Sequence, residues 1–76
     1  MKKIFVFTLE VIFLDGSGSA VNTNAFSTLR KARRMLNKTF KTLSCGIDNV
    51  KITNDSYSIM GNKCSMNGAI KEVVLN

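Results

Sequence analysis

Histidine and proline are absent from this chain, cysteine occurs only twice, and acidic residues number only five. Without histidine the chain lacks the commonest general base, metal ligand and pH switch. No proline, repeat or low-complexity stretch marks a linker. The 76 residues therefore read as one domain, 1–76, near the lower size at which a single core holds without staples. A hydrophobic fraction of 45% is ordinary for a globular protein and argues against disorder.

The residues that could carry chemistry are too scattered to do so. Cys45 and Cys64 lie far apart with no histidine beside them, so they make no zinc site. Neither has a neighbouring base to activate it as a nucleophile, and in a reducing compartment both stay as free thiols. The acids fall on separate segments, without the pairing of a glycosidase or two-metal centre. Asp15-Gly16-Ser17-Gly18 lacks the Lys-Ser/Thr ending of a phosphate loop and reads as a turn. Asn37-Lys38-Thr39 and Asn54-Asp55-Ser56 match the glycosylation sequon, a pattern that arises easily by chance in an Asn-rich chain. The expectation is a protein that is not an enzyme, with no catalytic residues, no metal and no cofactor.

What the chain does have is one-sided charge. Arg30, Lys31, Arg33, Arg34, Lys38 and Lys41 lie within a short segment that holds no acid. Elsewhere Lys2, Lys3, Lys51, Lys63 and Lys71 are balanced by Glu10, Asp15, Asp48, Asp55 and Glu72, so the net charge of +6 belongs to that segment. A concentrated field of one sign speaks of partners rather than of fold.

The N-terminus has the outline of a secretory leader: Met1-Lys2-Lys3, an apolar run from Ile4 to Leu14, and small residues at Gly18-Ser19-Ala20. Glu10 interrupts that run, and Phe5, Phe7, Leu9, Val11 and Phe13 recur at period two, the signature of a half-buried strand. The run is also too short to span a membrane. It reads as a strand from Lys3 to Leu14 in a cytoplasmic protein with no membrane partner. At about 3.3 Å per residue such a strand measures some 35–40 Å. A compact domain of this size has a radius of gyration of about 11 Å. The strand must therefore bend, bulge or project, and a projecting strand offers an edge for pairing with another copy.

A weaker strand, Ala20–Ala25, follows the glycine turn. Leu29, Ala32, Leu36, Phe40 and Leu43 then form one apolar stripe at helical spacing. This predicts a helix over Thr28–Ser44, with Ser27 as N-cap (or Asn24 for a longer helix) and Gly46 closing the C-terminus. Val50 and Ile52, then Tyr57 and Ile59, alternate as strands around Asn54-Asp55. Gly61-Asn62 and Asn67-Gly68 read as turns, with a last strand over Ala69–Leu75. The expected fold is α+β: a small antiparallel sheet of four to five strands, order β-β-α-β-β, with one amphipathic helix packed on one face.

At about 100° per residue from Leu29, the apolar stripe stays within roughly 60° of zero. Arg30, Lys31, Arg34, Lys38 and Lys41 fall between about 100° and 200°, on the opposite face, and Arg33 sits at the margin. A helix needing only a hydrated surface would more often interleave Glu with these cations, because like charges four apart disfavour it by a few tenths of a kcal/mol each. The six cations are the candidate binding residues, with Asn37 and Tyr57 as accessory contacts. A purely solvated face is the competing reading.

The layout as a whole resembles small inhibitors encoded by phages and mobile elements, including compact anti-CRISPR proteins. It consists of a long N-terminal strand, a glycine turn, one helix beginning near Phe26-Ser27-Thr28-Leu29 and a closing hairpin. The resemblance implies binding to a host nucleoprotein effector and blocking of its access to nucleic acid. Many such inhibitors are acidic mimics of nucleic acid; this chain is basic, which points instead to an acidic protein surface or to the nucleic-acid part of a nucleoprotein complex. Two other functions compete. One is direct, sequence-tolerant binding of DNA or RNA phosphates; the other is self-association through an edge strand.

Overall fold

The computed structural model describes residues 2–75. The elements in order are β1 (Lys2–Phe13), β2 (Gly18–Phe26), α1 (Leu29–Leu43), β3 (Val50–Ile52), β4 (Ser56–Met60) and β5 (Cys64–Leu75). All five strands form one antiparallel sheet in the order β2-β1-β5-β4-β3. The helix lies across one face, giving a two-layer α+β domain. No helix among the described residues is long and apolar enough to cross a membrane.

Period two in the N-terminal run does what it promised. Phe7 is 1% exposed on the helix side of β1, and Leu9 and Val11 flank it half-buried. β1 pairs with β2 from Phe5↔Phe26 to Phe13↔Gly18 and with β5 from Lys2↔Leu75 to Phe13↔Cys64, each register unbroken by a bulge. The length is therefore accommodated by projection. The molecule measures 43 × 23 × 14 Å, and its radius of gyration of 13.3 Å exceeds the compact value of about 11 Å. Phe13, the last residue of β1, is 43% exposed, so it is not the core residue that its face suggested. Both sides of β1 are occupied, and the edges of the sheet are β2 and β3.

Three strands follow the helix, not two, and the order is β-β-α-β-β-β. The alternating segments on either side of Asn54-Asp55 are two separate strands, and the expected turn at Asn67-Gly68 is absent. Instead of turning the chain, these residues lie within β5, which begins at Cys64; the reversal occurs at Gly61–Lys63, where the Gly61 amide donates to the Cys64 carbonyl. Gly68 is there for space. A Cβ at this position would lie 2.5 Å from two ring carbons of Tyr57, its partner on β4.

The helix starts one residue later than its apolar stripe suggested. Thr28, not Ser27, is the N-cap: its Oγ1 accepts from the Lys31 amide at 3.2 Å. At the other end the Ser44 amide donates to the Phe40 carbonyl, and Gly46 takes φ +76°, a conformation that favours glycine. Ala32 and Leu36 are fully buried, and Leu36 forms the core with Phe7, Tyr57, Ile59 and Met66 from the sheet.

Candidate binding face on the helix

Burying Ala32 and Leu36 fixes the rotation of α1, and with it the fate of every cation. Arg30, Lys31, Arg34, Lys38 and Lys41 are all exposed, as is Asn37. None of these five cations makes an ion pair among the described residues. Arg33, at the margin of the stripe, is half-buried and differs from the rest. Its Nε donates to Asp55 Oδ1 at 2.9 Å, with Asp55 coming from the turn between β3 and β4. That acid lies 22 residues away in sequence and could not be read as a neighbour. The contiguous free face is thus made of five cations.

The placement of these charges opposes the helix that carries them. Unsatisfied amides give a helix N-terminus a partial positive charge, so cations there are unfavourable by some 0.3–1 kcal/mol each. Arg30 and Lys31 occupy the first turn, which contains no acid, and only Lys41 lies in the last turn where a cation helps. Solubility alone does not call for this arrangement.

On the β2 side the basic face borders an apolar groove. Phe26 and Met35 line it together with Lys31, Arg34 and Lys38. It continues along the helix past Leu9, Thr39, Thr42 and Leu43. Phe26 and Met35 are both only half-buried. The signal available was Met35, which falls on the helix wheel between the apolar stripe and the cations.

Tyr57 is not an accessory contact. It is 3% exposed, with its ring centroid 5.4 Å from that of Phe40 and 6.3 Å from that of Phe7. Its hydroxyl shares a 2.8 Å hydrogen bond with Thr39 Oγ1, which can itself donate to the Leu36 carbonyl at 3.0 Å. Burial pushes the Tyr57 phenol above its ordinary value, only partly offset by the Thr39 bond, so the group stays neutral in the core. A buried, hydrogen-bonded ring cannot stack on a base.

Cys45, just beyond the helix, is exposed, and Cys64 at the start of β5 is half-buried; both are free thiols. The described residues hold no cluster of three or more metal-ligating side chains. Asp15, in the projecting β1–β2 turn, accepts from the Ser17 amide at 2.8 Å, and hydrogen bonds from the Ser17 hydroxyl and amide hold its carboxyl below the usual range. This is a turn-forming contact.

No protein-family model matches the chain, and neither the curated proteins nor the solved structures contain a match to it.

Proposed function

We propose that this chain is a non-catalytic binding protein that docks the helix face of Arg30, Lys31, Arg34, Lys38 and Lys41 onto an acidic surface of a partner protein. The layout resembles that of phage-encoded inhibitors of the anti-CRISPR kind, and in that reading the partner is a host nucleoprotein effector. One observation carries the proposal: five exposed cations without ion-pair partners among the described residues share one helix face, two of them in the turn where they cost stability. The apolar groove beside Lys31, Arg34 and Lys38 favours a protein partner over bare phosphates, because Phe26 and Met35 offer contact area that a sugar–phosphate backbone does not use.

Reversing three of these charges tests the reading. Arg30→Glu, Arg34→Glu and Lys38→Glu together are expected to abolish capture of the partner from nuclease-treated host extract while the circular-dichroism spectrum stays unchanged. Retention of the same partner by the triple variant would sink the proposal. Generic duplex DNA serves as the control. Affinity that falls with salt at a log–log slope of about −3 to −5 would mark direct phosphate binding by most of the patch instead.

A further inference from the structure

The two edges of the sheet are not alike. β3 is three residues long and carries Lys51, so it is both short and charged, as protected edges usually are. β2 has nine residues, Gly-Ser-Ala-Val-Asn-Thr-Asn-Ala-Phe, with no charge and no proline. Its register against β1 contains no bulge, and every residue except the half-buried Phe26 is exposed. None of the usual devices that blunt an edge is present.

The backbone pattern shows which groups this edge presents. The Leu14 amide donates to the Lys63 carbonyl, extending the β1–β5 ladder by one pair. Antiparallel ladders alternate, so even-numbered residues of β1 bond to β5 and odd-numbered ones to β2. In β2 it is then Gly18, Ala20, Asn22, Asn24 and Phe26 that bond to β1. Ser19, Val21, Thr23 and Ala25 turn their amides and carbonyls outward.

We propose that β2 is the interface of a symmetric homodimer, in which the β2 strands of two copies pair antiparallel about Asn22. Only a strand that matches its own reverse can do this well, and β2 does. With Asn22 opposite Asn22 of the second copy, outward-facing Ser19 pairs with the second copy's Ala25 and Val21 with its Thr23. Every outward amide and carbonyl of the edge then has a partner. Side chains match in the same register. Two Asn22 amides meet at the centre, where each can donate to the other. Val21, 57% exposed in one copy, packs beside the second copy's Thr23. Phe26 lies opposite the second copy's Gly18, where an aromatic ring covers the bare backbone.

The symmetry axis of such a pair stands perpendicular to the sheet, so both helices lie on one side of a continuous ten-stranded sheet. The groove beside Phe26 and Met35 becomes half of a trough walled on both sides by Lys31, Arg34 and Lys38. With strands about 4.8 Å apart, the helices are separated by roughly 20 Å. With each helix about 10 Å across, the facing cations stand roughly one screening length apart at physiological salt, so their repulsion is weakened and added salt favours assembly. The dimer would double the basic face presented to one side, but it does not depend on what that face binds.

Light scattering on the full chain tests this directly. Wild type is expected at twice the 8.4 kDa chain mass. Thr23→Pro is expected at the single-chain mass with an unchanged circular-dichroism spectrum, because the amide it removes faces outward and takes no bond from β1. Should Thr23→Pro unfold, a second pair decides. Asn22→Lys and Asn22→Glu are each expected to be monomeric through like charges at the centre, and their mixture to form a heterodimer. A wild-type chain that stays monomeric at millimolar concentration overturns the proposal, as does a dimer that survives in all the variants. The triple charge reversal of the helix is expected to leave the mass unchanged, which separates this test from that of partner binding.

Discussion

Tyr57 and Gly68 stand opposite each other on β4 and β5, and their relation sets the depth of the core. The Tyr57 ring fills the space above Gly68, tied by its hydroxyl to Thr39 on the helix. Adding one methyl group removes that fit. Gly68→Ala would place Cβ 2.5 Å from the Tyr57 ring and 3.0 Å from the Phe7 ring, and neither ring can retreat without breaking contacts with Phe40 or Leu36. A loss of about 1–3 kcal/mol is expected, from the usual cost of overpacking. Urea denaturation checks it: the midpoint should fall with an unchanged slope, and an undiminished midpoint would show that the rings move aside freely. The same pair explains why Tyr57 looked like a surface residue in the sequence. Its neighbours Asp55, Ser56 and Ser58 are polar, and the glycine that makes room for it sits on another strand, inside what reads as a hairpin turn.

Among the elements, α1 was the most legible. Five apolar residues at spacings of three and four specify both the helix and its buried face, so the outward position of Arg30, Lys31, Arg34, Lys38 and Lys41 followed from periodicity alone. The strands were less so. β2 was recognisable but short by its ends, since Gly18 and Ser19 are poor strand formers that join the sheet only because β1 pairs with them. The first half of β5 was hidden for the same reason: Cys64 to Gly68 holds one large apolar residue, Met66, among small and polar ones, and its strand state is imposed by β1 on one side and β4 on the other. Long-range contacts also hid the Arg33–Asp55 bridge. The helix depends on its cap more than most, because its first turn holds two cations and no acid. Thr28→Ala removes the side-chain acceptor of the Lys31 amide, and about 1 kcal/mol of stability should go with it. Thermal unfolding followed by circular dichroism measures this; an unchanged midpoint would mean that solvent satisfies the Lys31 amide equally well.

For the molecule as a whole, shape and charge are organised around the same sheet. β1 and β5, paired along their full twelve residues, make the domain long, and the helix occupies only part of one face. Five of the six cations that make up the net charge of +6 lie on the outer side of that helix, and the sixth, Arg33, is bridged to Asp55 at its margin. A domain this small draws its stability from a few buried side chains, and total stabilities of order 5–15 kcal/mol leave little to spare for repulsion among aligned cations. That such repulsion persists, with Arg30 and Lys31 at the wrong end of a dipole, is the physical reason to regard the face as functional.

The central claim is that this face, and no other, meets an acidic partner. Amide chemical-shift mapping with poly-glutamate at low salt tests it most directly, because it needs no identified partner and reports on every residue at once. Shifts confined to Arg30–Lys41 and the adjoining Phe26, fading as salt is raised, are the expected result. Shifts spread over the open face of the sheet, or none at all, would contradict the account.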